Sequence, residues 1–173
     1  MGKLIFILGG ARSGKSSFAL RLASDRHAKN VAFIATGEAL DKEMRRRVRL
    51  HRNSRPAHWK TFEEPRRVAE AIKEMGGRFE LILIDCLTLL VSNLLLNNTK
   101  EKAIEKEITM ILNALRRTGS ECIIVSNEVG LGIVPGNALA RDFRDVAGRV
   151  NQIVAKAADE VFFTVSGIPW RIK

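Results

Sequence analysis

The chain has 173 residues and a mass of 19.3 kDa, with 46% hydrophobic and 28% charged residues. That balance fits one folded domain over residues 1–173 and excludes a disordered, collagen-like or linker-dominated chain. Lys and Arg number 29 against 19 acids, and the net charge of +10 favours anionic partners without choosing between nucleotides, phosphorylated metabolites, nucleic acid and acidic lipid. The longest apolar runs, such as Leu4 to Leu8 and Leu81 to Ile84, fall far short of the roughly 20 residues of a membrane span. No A-x-A cleavage site follows Lys3, so the expectation is a cytoplasmic protein without a signal peptide. Cys86 and Cys122 lie in apolar stretches, outside any metal or C-x-x-C pattern, which suits a reducing compartment.

In chain order, Lys3 to Leu8 reads as a buried strand that runs into Gly9-Gly-Ala-Arg-Ser-Gly-Lys-Ser16. Apolar residues at helical spacing follow in Ser17 to Ala23. Val31 to Thr36 is a second strand, and Leu40 to about Arg52 a helix with Leu40, Met44 and Val48 on one face. Pro65 is placed to open a helix ending near Gly76-Gly77. Leu81 to Asp85 is a third strand. Thr99 to about Arg117 is an amphipathic helix stopped by Gly119, and Glu121 to Ser126 a fourth strand. Asn137 caps a helix through Ala158 that turns Leu139, Phe143, Val146, Val150 and Val154 inward. Val161 to Ser166 is a fifth strand, and Pro169 to Lys173 a last one turned back at Gly167. This alternation predicts an α/β domain with a mostly parallel sheet, helices on both faces, and ligands at the carboxyl ends of the strands.

At that edge, Gly9-x-x-x-x-Gly14-Lys15-Ser16 fits a phosphate-binding loop, following a strand and opening a helix. Its backbone N–H groups and the helix N-terminus hold phosphate, Lys15 reaches the β- and γ-phosphates, and Ser16 joins the Mg²⁺ shell. Asp85, at the end of an apolar strand, is a second metal candidate; a helix cap or surface acid is the plain alternative. Seven cations (Lys42, Arg45, Arg46, Arg47, Arg49, Arg52 and Arg55) surround His51. By spacing alone, a histidine on the face of Met44 and Val48 is a core or capping residue. The sharper reading is a nucleophile that attacks phosphorus, with Arg52 and Arg55 neutralising the transferred oxygens and lowering its pKa. His27 and His58 read as exit-loop and packing residues. Asn127 and Glu128 follow the fourth strand and either orient a ligand or cap a turn.

These segments together resemble the bifunctional adenosylcobinamide kinase / adenosylcobinamide-phosphate guanylyltransferase family of cobalamin biosynthesis. The resemblance rests on Gly9 to Ser16, Phe33-Ile-Ala-Thr36, His51-Arg-x-x-Arg-Pro-x-x-Trp59, Thr61-x-Glu63, Ser126-Asn-Glu-Val-Gly130 with Gly132-Ile-Val-Pro135, Phe143 to Gln152, and Val165-Ser-Gly-Ile168. It implies a RecA-like P-loop NTPase fold with a C-terminal antiparallel strand, a cytoplasmic homotrimer, Mg²⁺, and ATP and GTP as substrates. It implies phosphorylation of adenosylcobinamide, then transfer of GMP from GTP to adenosylcobinamide phosphate, with His51 carrying GMP and pyrophosphate leaving. Carried over residue by residue, the nucleotide contacts are Gly9, Gly10, Ala11, Arg12, Ser13, Gly14, Lys15, Ser16, Ala35, Thr36, Gly37, Arg52, Asn53, Ser54, Arg55, Glu63 and Asp85. His51 and Lys15 are catalytic, and Ser16 and Asp85 hold the metal. Two other readings stay in view: a P-loop kinase or NTPase in which His51 is only structural, and a nucleic-acid module, which 6% aromatics and the absence of Tyr disfavour.

Overall fold

The computed structural model describes residues 2–38 and 55–173. The helix expected from Leu40 to about Arg52 lies outside them. The elements are β1 (Leu4–Gly9), α1 (Lys15–Asp25), β2 (Val31–Ala35), β3 (Lys60–Glu63), α2 (Val68–Met75), β4 (Leu81–Asp85), α3 (Leu87–Leu96), α4 (Glu101–Thr118), β5 (Glu121–Asn127), α5 (Ala138–Ala157), β6 (Glu160–Val165) and β7 (Ile168–Arg171). The seven strands form one sheet in the order β3-β2-β4-β5-β1-β6-β7, parallel except for the last pair.

The central strands are continuous apolar runs because both sheet faces are covered. Leu4, Phe6 and Leu8 of β1 enter the larger core cluster beneath α2, α3, α4 and α5, while Ile5 and Ile7 enter a smaller one beneath α1. Each such side chain, fully buried, contributes roughly 1.5–3 kcal/mol. On its sheet side α1 buries only the small Ala19 and Ala23, which lets the helix lie close behind β1.

Five expected strands and the final antiparallel one are present, with ends shifted by a residue or so. Asn137 caps α5, its Oδ1 accepting from the N–H of Ala140 at 2.7 Å. Gly119 closes α4 in the left-handed region (φ 74°). Four expectations need correction or addition. Leu139 does not point inward: it sits in the first turn of α5 at 55% exposure, and the buried face of that helix starts at the half-buried Phe143. Pro65 does not open α2, because Glu64 Oε1 takes the N–H groups of Arg66 and Arg67 and holds a turn there before the helix starts at Val68. The edge strand β3 was not expected, being four residues with exposed ends. Nor was α3, which is apolar nearly all round under its neighbours and so carries no amphipathic period.

Candidate active site

The parallel strands all end at one edge, and their register lays out the site. Glu63 pairs with Ala35, Ala35 with Asp85, Asp85 with Val125, and Gly9 with Asn127. Side chains at these matched positions share the α1 face of the sheet. From Glu63 to Gly9 there are four strand spacings, about 19 Å.

At the Gly9 end the chain curls. Ser13 N–H donates to Gly10 O at 3.2 Å, and Gly14 takes φ 92°. A Cβ on Gly14 would also lie 3.0 Å from Gly167 Cα, so only glycine suits the position. The β6–β7 turn braces the loop, Gly167 N–H donating to Ser13 O at 2.8 Å. No side chain caps the N-terminus of α1, so its first N–H groups face an incoming anion. Lys15 is buried, and its Nζ donates to Gly10 O at 3.1 Å. Burial pushes its pKa below the usual lysine value, while the nearby Cys86 and Asp85 oppose that shift. A phosphate beside this ammonium would replace hydration lost on folding.

Asp85 ends β4, two strand spacings from β1 and on the same face, close enough for its charge to act on Lys15. Thr36 is fully buried and ties two strand ends together. Its Oγ1 donates to Cys86 O (2.6 Å) and accepts from Cys86 N–H (2.9 Å), and its carbonyl accepts from Asn93 Nδ2 (2.8 Å). Its side chain thereby sets the backbone of Ala35 and Gly37 relative to Asp85. Arg55 places its guanidinium 3.7 Å from the ring centroid of the buried Phe33, and its Nη1 donates to Thr61 Oγ1 at 3.3 Å. Stacking of this kind anchors the chain just past His51. His51, Arg52, Asn53 and Ser54 themselves lie outside the described residues. His27 and His58 lie away from this edge, lining with Trp59 a pocket of about 290 Å³ beyond the C-terminus of α1.

Thr88 and Asn93 were not singled out from sequence, and Asn151 entered only within the run Phe143 to Gln152, with no role of its own. Ser126 Oγ donates to Asn151 Oδ1 (2.7 Å), which leaves Thr88 Oγ1 to donate to Ser126 (3.0 Å) while accepting from Asn127 N–H (2.6 Å). Asn151 Nδ2 donates to Asn127 O at 3.1 Å. Both backbone groups of Asn127 are thus fixed by side chains. The available signal was three polar residues, Thr88, Ser92 and Asn93, inside the otherwise apolar run Leu87–Leu96. Around Gly9, Ser13 Oγ, Asn127 Oδ1 and Thr164 Oγ1 are buried without a hydrogen-bond partner among the described residues. Gly9 pairs with Asn127 and Thr164, so polar capacity is kept open at the root of the phosphate loop.

A glycine loop between β1 and α1, backed by an acidic strand end one strand beyond β5, defines a P-loop protein of RecA-like architecture. The crystal structure of the RadB recombinase shares this fold, with a TM-score of 0.54 and 15% identity over 94% of this chain and 74% of that one. The chain belongs to the cobinamide kinase / cobinamide phosphate guanyltransferase family, whose model matches residues 5–172. It is 45% identical to the bifunctional adenosylcobalamin biosynthesis protein CobU of Salmonella typhimurium, over 98% of this chain and 99% of that one. It is 44% identical to the bifunctional adenosylcobalamin biosynthesis protein CobP of Pseudomonas aeruginosa, over 96% and 95% respectively.

Proposed function

We propose that this protein phosphorylates adenosylcobinamide with ATP or GTP and then transfers GMP from GTP to adenosylcobinamide phosphate, releasing pyrophosphate. The observation that carries this reading is the uncapped N-terminus of α1 behind a left-handed Gly14, with a buried Lys15 facing the Asp85 side. Such a site holds a triphosphate by its β- and γ-oxygens and leaves the terminal phosphoryl open to an acceptor.

In the kinase step, the loop N–H groups and Lys15 take up the charge that develops on the transferred phosphoryl and the leaving diphosphate. Ser16, half-buried in the first turn of α1, and Asp85 offer hard oxygen donors, which suits a Mg²⁺ shared with the nucleotide phosphates. An ion held there by Ser16 and Asp85 would supply positive charge against the nucleotide phosphates. In the guanylyl step, the His51 imidazole attacks the α-phosphorus of GTP, a P–N bond forms as the bond to pyrophosphate breaks, and the acceptor phosphate then displaces His51. Arg55, anchored on Phe33, fixes the end of the segment that bears this histidine. Glu63, at the far end of the strand row, faces the guanine N1–H and amino group as an acceptor. The protein works as a cytoplasmic homotrimer; the exposed Ile168, Trp170 and Ile172 on and just past edge strand β7 supply an apolar surface for self-association.

Intact-mass measurement after incubation with GTP and Mg²⁺ tests the reading. One added GMP is expected on the wild type and none on His51→Ala, with the kinase step largely spared. A His51→Ala protein that still gains GMP overturns the nucleophile assignment.

A further inference from the structure

We propose that the loop from Val129 to Leu139 is the platform that grips the corrinoid acceptor, by apolar contact beside the phosphate loop. This rests on the functional reading above and names the surface that selects its acceptor.

The placement follows from topology. The loop leaves the sheet at Asn127, which pairs with Gly9, and the N–H of the next residue, Glu128, donates to Gly9 O at 3.0 Å. It ends where α5 begins, on the same edge of the sheet. Both feet therefore stand at the rim of the nucleotide site.

The surface is unusual for such a rim. Leu131 is 80% exposed, Ile133 97%, Val134 62% and Leu139 55%. Aliphatic side chains grouped in water gain free energy only when something covers them. The span is held out rather than folded back onto the sheet. Glu128 Oε1 accepts from Gly130 N–H at 2.8 Å at one foot. At the other, Arg141 Nη1 donates to Pro135 O (3.0 Å) and Gly136 O (2.8 Å). Leu131, Ile133 and Val134 are carried between these two ties, and Leu139 stands just past the second, in the first turn of α5.

The occupant follows from position and chemistry. The acceptor must bring its hydroxyl, and later its phosphate, to a nucleotide held at Gly9 to Ser16. Arg12, Asp85 and Glu63, along the rest of this edge, are polar. A corrin ring is a large macrocycle whose rim carries methyl groups between its amide side chains, and the methyls and the ring face draw affinity from apolar surface within reach of the transferred group. Among the described residues, this loop is such a surface. A second exposed apolar group touches this edge only at Val165 (51% exposed) and Ile168 (70%), which pair beside Gly167, and then runs away from it along β7, where Trp170 pairs back with Phe163; it offers two aliphatic side chains at the rim against four on and beside the loop.

Equilibrium dialysis of cobinamide, followed by its visible absorbance, tests the platform directly on the full chain. The double variant Leu131→Ser/Ile133→Ser is expected to raise the cobinamide Kd at least tenfold, and Ile133→Leu to stay near wild type. GTP affinity, Tm and the mass of the assembly by light scattering are expected to stay at wild-type values. Unchanged cobinamide affinity in the double variant, with wild type binding cobinamide, overturns the platform and leaves the functional reading standing. Loss of affinity together with dissociation of the assembly overturns it in favour of a second copy of the chain as occupant. A wild-type protein that binds GTP but no cobinamide overturns the functional reading and the platform with it.

Discussion

Two loops rise from the same edge of the sheet, on adjacent strands, and they recognise by opposite means. The loop after β1 works through backbone: glycines, a helix start without a side-chain cap and one buried ammonium. The loop after β5 works through side chains, with aliphatic groups displayed to solvent. The first suits a ligand whose charge is the same in every nucleotide. The second suits a ligand known by its shape and its apolar area. A transferase that joins a common donor to a rare acceptor needs both, a few ångströms apart.

The comparison breaks first at Lys15. Lys15→Gln is expected to lower phosphoryl transfer by about 10²–10³-fold, the usual loss when one preorganised donor to a developing charge is removed. Burial depresses the Lys15 pKa below 10.5. Phosphate binds the protonated form, so GTP affinity is full below that depressed pKa and declines as pH rises through it, earlier than an ordinary lysine would dictate. In Lys15→Arg the decline should vanish from this range, since a guanidinium stays charged. Titration of GTP affinity from pH 7 to 10 checks both. A flat wild-type profile would mean that the phosphates do not depend on this ammonium. The same shift makes the folded state hold its proton less tightly than the unfolded one. In the absence of nucleotide, Lys15 therefore makes stability rise with pH between the two pKa values.

The network that aims the second loop is the next point of attack. Thr88→Val removes the acceptor of Asn127 N–H and the partner of Ser126 in one step. A buried donor left unsatisfied costs about 2 kcal/mol, which at this chain length is some 5 °C in Tm. Calorimetry measures the loss. Cobinamide affinity is expected to fall more than GTP affinity, because the fixed Asn127 backbone is the foot of the apolar span. Equal losses for both ligands would make the network a support of the whole edge.

The two loops were not equally legible. Gly9 to Ser16 could be read from sequence because backbone recognition demands particular residues: a glycine at φ 92° and a lysine at one spacing. The place of Asp85 was legible for a similar reason, a lone carboxylate ending an apolar strand. The apolar span was hidden, since Leu131, Ile133 and Val134 have the composition of a core strand and only three dimensions show them uncovered. Thr88 and Asn93 were hidden in an apolar helix, where a polar residue among leucines resembles noise until its partner on another element is known, and Asn151 sat in the motif run Phe143 to Gln152 with nothing local to show its partners on β5. Strand β3 was missed because its four residues are stabilised by pairing with β2, a contact made across a chain separation of about 30 residues and invisible to local pattern.

The smallest effect is expected at Leu139, and it sharpens the comparison most cheaply. Leu139 and Val150 lie on the same helix, yet the first is 55% exposed and the second fully buried. Helical spacing assigns both to the inward face; the structure puts Leu139 on the apolar span. Leu139→Ser is therefore expected to change stability by no more than about 0.5 kcal/mol, with Tm almost unmoved, while cobinamide affinity drops about threefold, roughly 0.65 kcal/mol at one rim contact. Val150→Ser is expected to lower Tm sharply, because it removes apolar volume from the core and adds a hydroxyl there. Paired melting and binding curves of the two variants separate stability from recognition within a single helix. A Leu139→Ser protein that melts as early as Val150→Ser would place that first turn in a packed interface, and the contrast between the two loops would then belong to assembly rather than to acceptor binding.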